Sequence, residues 1–218
     1  MVKIASRTVL FASLLTLLTQ FAAAQVPSFS PFSADLQITT TRGGGAARDI
    51  TGKLYAGSGH LRLDMSTAGH ESAIITDFAT KTTDILMIEQ QMYIERKSDV
   101  NPARGPGSNV AADMKPYDPQ NPCANQTDIT CKKIGVEEVS GRTCDHWEVT
   151  DKNGKVSNLW IDQKLHFPVK VTSQDSTMLL TNIREGQPDA SLFKVPADFH
   201  KVDMSSMLPP GAVPPPQK

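Results

Sequence analysis

From Phe32 to Ile94 apolar and polar side chains alternate with a period of two, segment after segment. Phe32-Ser33-Ala34-Asp35-Leu36-Gln37-Ile38-Thr39 predicts a strand in a sheet with one wet face. Gly43-Gly44-Gly45 breaks the pattern, Asp49–Ala56 resumes it and Gly57-Ser58-Gly59 turns the chain. In His60–Met65 the side chains of Leu61, Leu63 and Met65 share one face, with Arg62 and Asp64 on the other. Glu71–Phe78 and Thr82–Ile88 are two further strands, joined at Ala79-Thr80-Lys81, and Gln91–Glu95 makes a sixth. Because Ile85-Leu86-Met87-Ile88 is apolar on both faces, its second side needs cover from elsewhere in the chain.

Residues 98–130 interrupt the alternation with Pro102, Pro106, Pro116, Pro119 and Pro122. An insertion this long inside a compact domain is a functional loop or a disordered one. Asn109–Lys115 is predicted as a single helical turn capped by Asn109. Alternation returns in Lys133–Ser140, Thr143–Thr150, Val156–Asp162, His166–Thr172 and Thr177–Arg184, and Asn153-Gly154 is a strong short hairpin signal. Phe193, Val195 and Phe199 follow as docking residues, before a proline-rich tail that cannot join a sheet. The outline is ten or eleven antiparallel strands with one lid-sized insertion.

The N-terminus changes where this domain is expected to work. Lys3 and Arg7 precede the apolar run Val9–Leu18, and Ala22-Ala23-Ala24 follows it, the form of a secretory signal cleaved after Ala24. The run is shorter than the ~20 apolar residues a membrane helix needs. Without residues 1–24 the chain carries 20 basic and 23 acidic side chains, with neither sign in a block. Nucleic-acid binding would want a basic stripe, which the sequence lacks. Three cysteines in an exported chain predict one bridge and one leftover thiol. Cys123 and Cys131 flank a short polar loop and are the preferred pair. Cys131 with Cys144 is the alternative, and in the preferred pairing Cys144 is a buried thiol in a strand.

No catalytic constellation is legible. His60, His70, His146, His166 and His200 are scattered, without the spacing of a zinc site. Ser58 lies between adjacent glycines in a hairpin turn, unlike the strand–turn–helix context of a nucleophile elbow. Asp162 and His166 form an acid–imidazole pair without a nucleophile beside them and read as surface polar groups. The expectation is a non-enzyme with no cofactor and no metal site.

Two segments go beyond generic strand patterning: Leu159-Trp160-Ile161-Asp162-Gln163-Lys164-Leu165-His166-Phe167-Pro168-Val169-Lys170-Val171, and Phe193-Lys194-Val195-Pro196-Ala197-Asp198-Phe199. They resemble the LolA/LolB-like superfamily of outer-membrane lipoprotein-sorting proteins. Cys131-Lys132-Lys133-Ile134-Gly135 and Gly141-Arg142-Thr143-Cys144-Asp145-His146-Trp147 resemble its exported DUF4412-type branch. The resemblance implies an incomplete antiparallel β-barrel spanning 32–203, with a linker at 25–31, a lid insertion at 98–130 and a disordered tail at 204–218. It also implies a periplasmic carrier for lipoprotein acyl chains or other lipids, held in an apolar cavity. Leu61, Leu63, Met65, Ile85, Met87, Met92, Met178 and Leu180 are the candidate lining, each lying on an apolar strand face. The competing expectation is an envelope sensor or protein-interaction domain whose interior is filled. The arginine that latches the lid in the carriers is assigned to neither Arg42 nor Arg62.

Overall fold

The computed structural model describes residues 29–41, 47–57, 59–67, 69–97, 121–124 and 128–203. The expected signal peptide, the helical turn at 109–115, most of the 98–130 insertion and the proline-rich tail lie outside these residues.

Among the described residues twelve strands form one sheet: β1 (Phe32–Thr40), β2 (Arg48–Gly57), β3 (His60–Thr67), β4 (His70–Asp77), β5 (Thr82–Met87), β6 (Met92–Lys97), β7 (Ile129–Val139), β8 (Arg142–Asp151), β9 (Val156–Asp162), β10 (Pro168–Thr172), β11 (Ser176–Glu185) and β12 (His200–Lys201). Their order is β12-β6-β5-β4-β3-β2-β1-β11-β10-β9-β8-β7. All neighbours pair antiparallel except β12, which lies parallel to β6. The alternation missed this strand, because two residues are too few to show a period. β7 also starts earlier than expected, at Ile129 rather than near Lys133.

The sheet curls strongly. Phe78, after β4, and Phe167, before β10, both meet the ring of Phe29, at 6.0 and 5.8 Å between centroids. The two rings are thus no more than about 12 Å apart, whereas strands five steps apart in a flat sheet stand about 24 Å apart. Ser140, at the tip of the β7–β8 hairpin, likewise donates to the carbonyl of Leu180 on β11 at 2.7 Å. Close strand approach helps the bend. A methyl group on Gly52 would lie 2.0 Å from the backbone oxygen of Asp64.

The face carrying Phe32, Ala34, Leu36 and Ile38 is the inner one. It joins Leu54, Ala56, Leu61, Leu63, Met178 and Leu180 in the main core cluster, which also takes in Leu165, Phe167 and Val169 from the β9–β10 region. The outer face of β4 and β5 has its own cover. Ala73, Ile75 and Leu86 pack against Val195 and Phe199 of the C-terminal segment, the cover that the two-sided apolar run in β5 required. That segment is pinned by His60 against the Phe193 ring (5.5 Å) and by Arg62, which donates to Leu192 O at 2.9 Å. Cys123 and Cys131 form a disulfide, with Cα atoms 5.8 Å apart, and Cys144 is free and buried.

Candidate functional site

Strand registers place the inner-face side chains in lines that run across the sheet. One line is Ile94, Ile85, Ile74, Leu63, Leu54 and Ala34, each opposite the next. A second is Met92, Met87, Ser72, Met65, Gly52, Leu36 and Leu180. A third runs through Ile50, Ile38, Met178, Val171, Leu159 and Trp147. Leu61 belongs to a fourth line, opposite Ala56, which is opposite Phe32. All eight residues singled out from the sequence therefore project from one face, spread over β3, β5, β6 and β11.

Burial along that face is graded. Leu61, Leu63, Met178 and Leu180 are buried, while Met65, Ile85, Met87 and Met92 are half-buried. The fully buried end is closed by aromatic rings: Phe29, Phe32, Phe78 and Phe167 meet edge to face. The half-buried end carries three methionines in one line with Gly52, where the apolar wall has flexible thioether side chains and a position without any side chain. Ile94, Ile74, Leu36, Ile38, Val171 and Trp147 complete the face. They carry the same alternation signal and could have been read from it.

The closed end is built by a polar anchor. Asp162 is 1% exposed and accepts two hydrogen bonds from the Arg142 guanidinium. It also accepts from the Lys164 and Leu165 amides at 2.8 and 2.6 Å. Burial pushes this carboxyl up, but Arg142 and the two amides outweigh it, and the net displacement is downward. The sequence expectation of Asp162 as a surface group beside His166 is thus corrected. The carboxylate faces inward because it caps the turn that carries Leu165 and Phe167 into the core, and its charged partner is Arg142, twenty positions away. Burial, with Asp162 nearby, also pushes the Cys144 thiol up to about 12, so it stays protonated and packs as a small apolar group.

Trp160 is buried and belongs to the main core cluster. It stacks on His146 at 4.3 Å between centroids, takes Lys170 over its ring at 4.3 Å and donates to Glu137 at 2.8 Å. Arg62 is on the outer face of β3, engaged with Asp64 and Leu192, and so does not reach the inner face; Arg42 lies outside the described residues. Among the described residues no group of three or more His, Cys, Asp or Glu side chains is placed to hold a metal ion, and no helix is long and apolar enough to cross a membrane.

The sequence profile described as Domain of unknown function (DUF4412) matches residues 32–166. The chain belongs to the DUF4412 family. No curated protein matches the sequence. Among solved structures, this DUF4412 chain is similar to an uncharacterized conserved protein of Thermus thermophilus, with a TM-score of 0.52, 9% identity and coverage of 79% of this chain and 90% of that one. It is also similar to MucB, with a TM-score of 0.48, 15% identity and 78% of this chain covered. The match spans only 58% of the length of MucB. A LolA superfamily protein of Nitrosomonas europaea is a third neighbour, with a TM-score of 0.40, 11% identity and coverage of 79% and 94%. At 9% identity the likeness to the Thermus thermophilus protein concerns the fold alone.

Proposed function

We propose that this DUF4412 protein is a periplasmic, non-catalytic binding or carrier protein for an acyl-bearing ligand, a lipid or the acyl chains of a lipoprotein. The observation that carries the reading is the single curled face on which Leu61, Leu63, Met65, Ile85, Met87, Met92, Met178 and Leu180 all lie. An acyl chain needs a dry slot with little polarity, and each methylene buried there contributes about 0.8 kcal/mol. The half-buried end of the face, lined by Met65, Met87 and Met92, is the entry. Methionine suits this task because its unbranched side chain adapts to ligands of different shape. The Cys123–Cys131 bridge is in keeping with export into an oxidising compartment.

The test is native mass spectrometry of protein purified gently from its own host, paired with uptake of a fluorescent acyl probe. Co-purifying lipid and saturable uptake are expected, and Met87→Glu is expected to abolish uptake while the sheet stays folded. Absence of lipid in repeated preparations, with uptake unchanged in Met87→Glu, would replace this reading with an envelope sensor or protein-interaction domain whose interior is filled.

A further inference from the structure

We propose that Trp147 is the specificity-determining residue of the inner face. Its indole N–H donates to the carbonyl oxygen of an acyl ester or amide, whose hydrocarbon chain lies along the line from Val171 towards Ile50. The inference rests on the acyl-binding reading above and adds to it a polar contact, a ligand orientation and a preference for one head chemistry.

The line is continuous in register. From Ile50 through Ile38, Met178, Val171 and Leu159 to Trp147, each side chain stands directly opposite the next, so all share one face. The next position across is Lys133 on β7. Apolar character therefore ends at Trp147, and a charged group follows it. Val171 packs against both the main core and the cluster of Trp147, Leu159 and Ile161, so the apolar surface does not break between them. Ile50, Val171 and Val149 are only half-buried, which leaves apolar wall open to a ligand on the way to the indole.

At this end sits an unanswered donor. Trp147 is 8% exposed, and its indole nitrogen is buried without a hydrogen-bond partner. Native interiors pair nearly all such groups, so an orphan calls for a cause. Trp160 shows the usual case, its N–H answered by Glu137 at 2.8 Å. Around Trp147 the packed side chains of Leu159, Ile161, Val149 and Val171 offer no acceptor. Asp145 has both oxygens engaged, by Lys133 at 2.8 Å and Gln163 at 2.7 Å. Lys133, with its ammonium 5.6 Å from the centre of the Trp147 ring, brings only donors. An indole donates and never accepts, so the group that completes it carries an acceptor. The apolar walls select a neutral one, because an unpaired charge is costly to bury there. A hydrocarbon chain ending in a carbonyl oxygen meets both requirements.

Displacement of the fluorescent acyl probe by methyl palmitate and by hexadecane, which share a long hydrocarbon chain and differ in the ester, tests the assignment. Wild type is expected to prefer the ester. Trp147→Phe is expected to lose that preference by about fivefold, the worth of one neutral hydrogen bond, while binding hexadecane as before. A merely structural role would weaken both ligands alike. Ultraviolet resonance Raman difference spectra between wild type and Trp147→Phe isolate this indole. Its N–H-sensitive band is expected to shift with methyl palmitate and to stay in place with hexadecane. An unchanged ester preference in Trp147→Phe, or a band that methyl palmitate leaves in place, would overturn the role of Trp147 while acyl uptake stands. Palmitate binding more tightly than its ester would overturn the choice of a neutral carbonyl. No uptake of any probe would remove this proposal together with the acyl-binding reading.

Discussion

Arg142 at the start of β8 and Asp162 at the end of β9 are joined by two hydrogen bonds, which hold the turn that carries Leu165 and Phe167 into the core. The pair is what the Trp-Ile-Asp segment contributes physically. Asp162 accepts the Lys164 and Leu165 amides, and Leu165 and Phe167, both fully buried, then fall beneath β1. Removing one member of a buried pair leaves the other uncompensated, at a cost of about 3 kcal/mol or more. Asp162→Ala is therefore expected to lose about that much stability in urea unfolding, with the slope unchanged.

The same carboxylate predicts a pH dependence. Its folded-state affinity for protons is depressed, burial notwithstanding, because Arg142 and two amides favour the charged form. Its contribution is complete above the unfolded value near pH 4 and is lost as pH falls through the folded value. Wild type should thus lose more stability on acidification below about pH 4 than Asp162→Asn, which has no charge to titrate. Parallel acid-unfolding curves for the two proteins would contradict this account of the turn.

Much of the architecture is written in alternation. A period of two needs only the residue types on each face, so β1, β3, β4 and β11 and the shared face of Leu61, Leu63, Met65, Ile85, Met87, Met92, Met178 and Leu180 are legible without coordinates. Three features are not. β12 is two residues long and pairs through backbone atoms that any sequence supplies. Asp162 looks like any polar residue at a strand end, because its partner Arg142 is twenty positions away and no local pattern links them. Gly52 reads as a weak point in a strand, while the structure shows that a close pass of β3 requires it.

Gly52→Ala follows directly. The added methyl would meet the carbonyl oxygen of Asp64 at 2.0 Å, and both are backbone, so β2 and β3 must separate. Forced overpacking of this kind costs about 3 kcal/mol. A thermal melt should show a marked drop, and acyl-probe uptake should fall with it because Gly52 lies between Met65 and Leu36 on the inner face.

Alkylation of the three cysteines gives a count with a definite answer. Cys144 is buried and its thiol is pushed up to about 12, so the native protein should take no label at pH 8. Denaturation without reductant should expose one thiol, and denaturation with reductant three. The bridge closes a short loop, and breaking it with Cys123→Ser should reduce stability by about 2.5 kcal/mol through the freedom returned to the unfolded chain. Three labels without reductant would show that the bridge is not present.

The two tryptophans separate the faces of β8 and β9. Trp160 is satisfied: its indole donates to Glu137 and its ring lies between His146 and Lys170. Trp147, on the inner face, has a buried indole nitrogen with no hydrogen-bond partner. Phenylalanine at 147 removes an unpaired donor along with some apolar area, two effects of opposite sign, so Trp147→Phe should change stability by less than about 1 kcal/mol. Trp160→Phe deletes a bond to a carboxylate and weakens two ring contacts, and should cost about 2 kcal/mol. Denaturant unfolding of the two variants side by side distinguishes them. If Trp147→Phe were the more damaging, its indole N–H would have to be engaged after all, and the inner face at β8 would be more polar than its neighbours Leu159 and Val171 imply.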